Sequence, residues 1–256
     1  MLDKENDANI IINKIIDKGK ITSLKQICSF TDFLNLYEQN LFMNNIDRLS
    51  NVNYNFYGGY GYSERKLIAF YPDYITKENI QYPVNIIKIY PRNNKFSKNL
   101  THRDFLGAIL NLGITRAKIG DILVKDNYAV CFVSMSITNY IMTNLQMVKQ
   151  TSVDLEILDT LPEEISNPRF IEIRGTVSSI RLDSIISLAF PLSRGKANSL
   201  IKSKNVYINS KLNLSPASKI KEGDIISVRG LGKFLFDRIG NKTKKDRIYV
   251  ELKRYS

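Results

Sequence analysis

The sequence predicts an α+β protein in three parts: an N-terminal helical/α+β region over residues 1–80, a middle domain over 81–160 and a basic C-terminal domain over 169–256. Three observations carry that prediction. Apolar residues recur at helical spacing near the start, a β-α-β-β-α-β series runs from Val84 to Leu158, and the charge balance shifts near residue 168. At 256 residues and 43% apolar content, the chain can fill two or three ordinary cores.

In the first part, Ile11, Ile12, Ile15 and Ile16 are spaced for a helix. A second helix is expected near "SFTDFLNLYEQNLF", with Thr31 as N-cap and Phe33, Leu34, Tyr37 and Leu41 on one face. Gly58, Gly59 and Gly61 predict a turn, followed by an apolar strand over 67–71 that Pro72 ends.

In the middle domain "VNIIKIY" (84–90) reads as a strand. "THRDFLGAILNLG" reads as a helix with Thr101 as N-cap, Asp104 three residues on and Gly113 as terminator. "DILVK" (121–125) and "YAVCFV" (128–133) are strands around an Asp126-Asn127 turn. A helix over 136–148 and a strand over 152–158 complete the series. This order is ferredoxin-like and resembles that of the RRM class of RNA-binding modules, so an RRM-like domain is expected. The topology alone does not imply RNA binding. Tyr128 and Phe132 share one side of the third strand, but the segment otherwise matches the RRM pattern poorly. Their rings are read as core, or as packed against the N-terminal part. "DTLPEEISNPRF" (159–170), with two prolines and an acidic pair, reads as a linker.

Charge separates the last part from the rest. Residues 1–168 hold 18 Lys and Arg against 18 Asp and Glu, while the remaining 19 and 7 lie in 169–256. The whole formal charge of +12 therefore sits in the last third. A neutral body with one cationic end suits a polyanionic partner. No apolar run approaches the ~20 residues of a membrane span, and the polar, acidic start "MLDKENDANI" is unlike a secretory signal. Cys28 and Cys131 are isolated and read as packed thiols in a reducing compartment, so a cytoplasmic protein is expected.

The basic part contains the most patterned stretch, "RLDSIISLAFPLSRGKANSLIKSKNVYINS" (181–210). Leu182, Ile185, Ile186 and Ala189 make one buried helical stripe. Pro191 stops that helix and Ser193 caps the next, whose stripe is Ala197, Leu200 and Ile201. Arg181, Arg194, Lys196, Lys202 and Lys204 are left to solvent, and the helix start at Ser193 offers free N–H groups to an anion. "VYIN" and "KEGDIISV" supply a strand, a turn and a second strand, with a tight turn at Asn209-Ser210. Beyond them "GKFLFDRIGNKTKKDRIYVELKRY" reads as a β-hairpin that carries Lys233 at its start and Lys242, Lys244 and Lys245 at its tip. That tip either reaches a phosphate strand or stands as a solvated turn.

"RLDSIIS", "SRGKANSLIKSKNVYIN" and "KEGDIISV" resemble, in order and spacing, the S4 RNA-binding domain over about sixty residues. One departure is Ser210, where many relatives have glycine. "FYGGYGYSERKLIAFYPDY", "LTHRDFLGAILNLGITRAKIGDI" and "GTVSSIRLDSIISLAF" extend the likeness to nearly the whole chain, which resembles the YlmH family of bacterial S4-domain proteins. The resemblance implies an RRM-like middle, a C-terminal S4 domain, and binding to large-subunit rRNA and tRNA on the ribosome in rescue of stalled translation. No cofactor and no small-molecule substrate are expected, and the chain is expected to be a monomer.

Enzyme readings fit less well. "HRD" at His102–Asp104 lacks the Asn that a kinase loop needs five residues later, since Ile109 stands there, and a DFG is missing. His102 is read as structural or surface, and Arg103 as a charge partner of Asp104 or an RNA contact. "GGYGYSE" has Glu64 in place of the third glycine of a dinucleotide fingerprint. Arg181-Leu182-Asp183 resembles a pseudouridine-synthase motif, yet too little chain follows for a catalytic domain. Asp183 is instead expected to orient Arg181. A non-enzymatic RNA-binding protein is the favoured reading. A protein–protein adaptor with a basic docking end, or an accessory factor in RNA modification, is the alternative.

Overall fold

The computed structural model describes residues 2–49, 52–93, 100–126, 128–166 and 170–255. Asn127 of the expected turn and residues 167–169 of the expected linker lie outside the described residues. The chain divides into two compact units, Met1–Asn167 and Pro168–Ser256.

The first unit opens with α1 (Leu2–Lys25), β1 (Ser29–Phe30), α2 (Leu36–Met43), β2 (Asn53–Tyr57) and β3 (Leu67–Tyr71). Ile12, Ile15 and Ile16 of α1 are buried with Phe42, Ile68 and Phe70, so the helical spacing marks the buried face. The second helix starts later than expected. Asn35, not Thr31, is its N-cap and forms a reciprocal capping box with Glu38. Thr31 is drawn instead into the sheet edge, where its hydroxyl accepts the Ile68 N–H at 2.9 Å and its own N–H donates to the Ile68 carbonyl at 3.0 Å.

The unit continues with β4 (Val84–Pro91), α3 (His102–Leu110), β5 (Ile119–Lys125), β6 (Tyr128–Ser134), α4 (Met135–Asn144), β7 (Met147–Val148), β8 (Thr151–Leu158) and α5 (Glu163–Ser166). Its antiparallel sheet has the order β5-β6-β4-β8-β7. Phe105 and Ile109 of α3 and Ile141 of α4 share one core with Ile87, Ile89 and Cys131 of the sheet. Burial pushes the Cys131 thiol up to about 12, as suits an inert packed cysteine. The helix expected over 136–148 stops at Asn144, because Met147 and Val148 pair with Ser152 and Thr151.

The opposite face of that sheet is covered at Phe132. Phe132 is fully buried, stacked on Tyr60 with ring centroids 5.3 Å apart and an interplanar angle of 15°. Gly59 lies over the same ring at φ +94, and a Cβ there would stand 2.2 Å from Phe132 carbons. The loop that brings Tyr60 is tied to the sheet by Asp121. Its carboxylate accepts the Tyr60 hydroxyl at 3.0 Å and the Glu64 and Arg65 N–H groups at 2.8 and 3.0 Å. Arg65 then donates to the carbonyls of Ile119 and Phe33 at 2.9 and 2.7 Å. Further along this face Lys88 pairs with Glu156 at 3.3 Å, and the Tyr128 hydroxyl donates to Glu164 of α5 at 2.6 Å.

The second unit comprises β9 (Phe170–Val177), α6 (Leu182–Ala189), α7 (Arg194–Lys202), β10 (Val206–Ile208), β11 (Lys211–Leu212), β12 (Ile225–Val228), β13 (Gly232–Lys242) and β14 (Ile248–Tyr255). The strands form one antiparallel sheet of order β11-β10-β12-β13-β14-β9. Leu182, Ile185, Ile186 and Ala189 of α6 and Ala197 and Ile201 of α7 are fully buried in one core with Ile226, Phe234 and Leu252. Strand β9 begins where the sequence suggests only a linker. It is held by a partner some seventy residues downstream, Val177 facing Ile248 and Phe170 facing Tyr255. At the β10–β11 turn Asn209 and Ser210 both take positive φ, 46 and 65. The Asn209 amide secures the bend by donating to Asp224 at 2.8 Å and accepting the Ile225 N–H at 2.9 Å.

Because Gly59 combines a left-handed φ with contact on a buried ring, Gly59→Ala is expected to destabilise the protein by about 1–3 kcal/mol. Chemical denaturation of the full chain, followed through tyrosine fluorescence, measures this directly. An unchanged midpoint would contradict the close fit of loop and ring.

Candidate nucleic-acid interface

The two helices of the second unit begin against each other, and the meeting point is a carboxylate. Asp183, two residues into α6, is 1% exposed. Its Oδ1 accepts Arg181 Nε at 3.1 Å and the Ser184 N–H at 2.9 Å. Its Oδ2 accepts one Arg181 terminal nitrogen at 3.2 Å and one from Arg194 at 2.9 Å. The Arg181 fork is thus bidentate on Asp183, and Arg194 reaches the same group from the first position of α7. Local sequence explains the arrangement. A cation at a helix start opposes the helix dipole, and an acid there offsets it. The first N–H groups of α6 are taken by the loop carbonyls of Ser218 and Pro216, at 3.0 and 3.1 Å.

The Arg181–Asp183 pairing is as expected, whereas Arg194, expected free in solvent, is drawn to the same carboxylate. Both share one buried carboxylate, so the trio carries a net charge of +1, while the two side chains stay 40% and 54% exposed. Burial acts to raise the Asp183 pKa, but the hydrogen bonds and charges of Arg181 and Arg194 outweigh it and leave the carboxyl below its ordinary value. Two oriented guanidinium forks remain, with outer N–H groups able to meet phosphate oxygens.

The other expected contacts fall into separate groups. The Ser193 hydroxyl accepts the Lys196 N–H at 3.2 Å, so the cap itself takes one of the donors expected to be open to an anion. Lys196 and Lys202 are exposed, but at ~100° per residue they project about 120° apart around α7. Lys204 follows the helix at φ 64, the place glycine usually takes. Its N–H donates to the Ile201 carbonyl at 3.2 Å and that of Asn205 to Leu200 at 3.1 Å, a paired C-terminal cap. Lys202 and Lys204 therefore also complement the negative end of α7. Lys233 neighbours the buried Phe234 on β13, so it faces the side of the sheet away from the helices, 4.3 Å from the Tyr255 ring centroid. Lys242, Lys244 and Lys245 lie at the β13–β14 tip, where Lys242 pairs with Asp246 at 2.7 Å. Register places that tip at the same end of the sheet as the β9–α6 connection, because Ile248 faces both Lys242 and Val177.

Sequence reasoning missed the second arginine on Asp183. It also missed Arg254, which donates to the Ala189 carbonyl at 2.9 Å and lies over the Phe190 ring. In the first unit Asp104 pairs not with Arg103 but with Lys149 of the β7–β8 turn, at 2.9 Å. Among the described residues no three His, Cys, Asp or Glu side chains are grouped to hold a metal ion, and no helix is long and apolar enough to cross a membrane.

An α+β chain with a cationic second unit has known counterparts. Residues 77–161 match the family model described as "Putative RNA-binding domain in YlmH". The Ribosome-associated protein quality control protein P2 of Bacillus subtilis (strain 168) is 30% identical over 250 residues, covering 97% of this chain and 95% of that protein. The chain belongs to the YlmH family. The solved structure titled Cell division protein ylmH from Streptococcus pneumoniae aligns at 25% identity and a TM-score of 0.49, over 59% of this chain and 91% of that one.

If Asp183 is the shared counter-ion, removing both arginines strands a buried charge. The double variant Arg181→Gln/Arg194→Gln should lose stability towards the lower end of ~3–5 kcal/mol, since the solvent-washed guanidiniums are partly screened. Adding Asp183→Asn should restore most of it, as equilibrium unfolding would record. The sign with pH follows from the depressed pKa. This contribution is full above the unfolded carboxyl value of ~3.9 and fades as pH falls through the folded one, and Asp183→Asn should flatten that acid limb.

Proposed function

We propose that this chain is a non-enzymatic RNA-binding protein that grips structured RNA mainly through phosphates, using its second unit as an S4-type domain. Its middle sheet is RRM-like in build. Its setting is the cytoplasm, where it acts as a monomer on the large ribosomal subunit, in contact with rRNA and tRNA, during quality control of stalled translation. That setting is supported by the printed name of the Bacillus subtilis relative, a ribosome-associated quality control protein.

The observation that carries the reading is the Asp183 arrangement within a region of 19 basic and 7 acidic residues. Arg181 and Arg194 act as preset bidentate clamps, while Lys196, Lys202 and Lys204 serve as looser point charges around α7. Lys244 and Lys245 extend the cationic end along the hairpin, with Lys242 partly spent on Asp246. Ser193 contributes as the cap that sets the start of α7. Lys233, on the far sheet face, belongs to the binding set only if the RNA wraps that edge. A-form helices hide their bases in a narrow groove, so shape and phosphate spacing outweigh sequence.

Salt dependence tests this reading. With about five phosphates engaged, log K should fall against log salt with a slope of roughly −3.5 to −4.5. The variant Lys196→Ala/Lys202→Ala/Lys204→Gly keeps the cap conformation and should make the slope shallower by about 2 to 3. RNA affinity indifferent to salt, or a variant that binds like the parent, would sink the proposal. Partners recovered unchanged after ribonuclease treatment would favour the adaptor reading.

A further inference from the structure

We propose a second RNA site, in the groove between α3 and the β7–β8 hairpin of the first unit, which takes an unpaired nucleotide of a single strand. It is separate from the cationic surface of the second unit and does not depend on it.

The first reason is that part of the sheet face is covered. In RNA-binding modules of this topology, bases stack on exposed aromatics of the sheet face. Here Phe132 is fully buried under Tyr60, and the half-exposed Lys88 and Tyr128 are engaged with Glu156 and Glu164. Yet this is the segment that matches the RNA-binding family model. The groove offers RNA that meets this segment a further surface.

The second reason is the groove's chemistry. It is an open groove of about 490 Å³ between α3 and the hairpin, within the size range of small-ligand sites. Its floor is Gly107, where the helix carries no side chain and a Cβ would meet no atom within 4 Å. Asn111 and Gln146 line it with amides, the groups that pair with base edges through a donor and an acceptor together. Met147, 51% exposed, supplies an apolar surface for a base face. Arg103 and Lys149 stand at the rim as phosphate contacts.

The third reason is that the one acid in the groove is already engaged. Asp104 accepts the Thr101 N–H and hydroxyl, each at 2.8 Å, and pairs with Lys149 at 2.9 Å. Those partners, Lys149 first, hold its pKa down to about 2, so it stays ionised and paired. With Asp104 offset by Lys149, the exposed Arg103 leaves the rim net positive. A Lys at φ +56 in a two-residue turn is uncommon, and the ion pair to Asp104 fixes where that cation stands.

Gly107→Met fills the groove and tests the proposal without harming the fold, because replacing a helical glycine removes a cost of ~1 kcal/mol. The probe is a fluorescent 12-nucleotide single-stranded RNA containing 4-thiouridine, with an RNA hairpin as comparison. The full chain carrying Gly107→Met should bind the single strand at least about tenfold more weakly, the loss of one recognised base, and hairpin affinity should be unchanged. Photocrosslinks to residues 103–112 and 144–149 should vanish with it. Arg103→Ala, an exposed change, should lower the single-strand salt slope by about 0.7. Parent-like single-strand binding by both variants would overturn the proposal, as would a parent protein that does not bind the single strand. Loss of ribosome co-sedimentation with naked-RNA binding intact would assign the groove to a protein instead, and also overturns it. The Lys196→Ala/Lys202→Ala/Lys204→Gly variant moves only the hairpin arm, so failure of the two sites can be told apart.

Discussion

The carboxylate of Asp183 is the constraint on which the second unit depends. Two helices begin with arginines, and each start would be weakened by its own cation. One buried acid between them reverses that penalty for both and fixes the angle at which α6 and α7 meet. Because Asp183 has only two oxygens and also accepts the Ser184 N–H, its capacity is nearly filled. The guanidiniums keep outward N–H groups that it cannot use. A change at Arg181 or Arg194 therefore acts on the helix junction as well as on the exposed charge.

In the first unit part of one sheet face becomes an internal contact. Asp121 holds the Tyr60 loop through three hydrogen bonds, and Gly59 allows the loop to lie directly on Phe132. Arg65 and Arg116 are half-buried among backbone carbonyls, and that burial lowers the Arg116 pKa to about 10. Arg65 in this way ties the loop to the sheet, while Arg116 secures the turn that leads into β5.

What the sequence made legible depended on the range of the interaction. Ile12, Ile15 and Ile16 and the stripes of α6 and α7 followed from helical periodicity, which each segment carries by itself. The caps at Thr101 and Ser193 were equally local. Thr31 was misread because a hydroxyl before an apolar run is a generic cap signal, and only the partner strand at Ile68 decides otherwise. Strand β9 was invisible for the same reason, its partner lying some seventy residues away. In the candidate interface the residue types and their segments were legible. The link from Arg194 to Asp183, eleven residues apart across a helix break, was not. Nor could spacing reveal that Lys233 faces away from the helices, since that follows from which neighbour is buried.

The cations of the second unit consequently divide by what holds them. Arg254 is committed to the end of α6, and Arg247 donates to Thr176 Oγ1 at 2.9 Å, closing the hairpin tip onto β9. Arg181 and Arg194 are half committed, and Lys202 and Lys204 are weakly biased by a helix end. Lys196, Lys244 and Lys245 are exposed and belong to none of these arrangements. The forks are oriented beforehand by Asp183, whereas the exposed lysines carry compact charges on long side chains with many rotamers. Fixed and adaptable cations are thus set side by side around one helix junction.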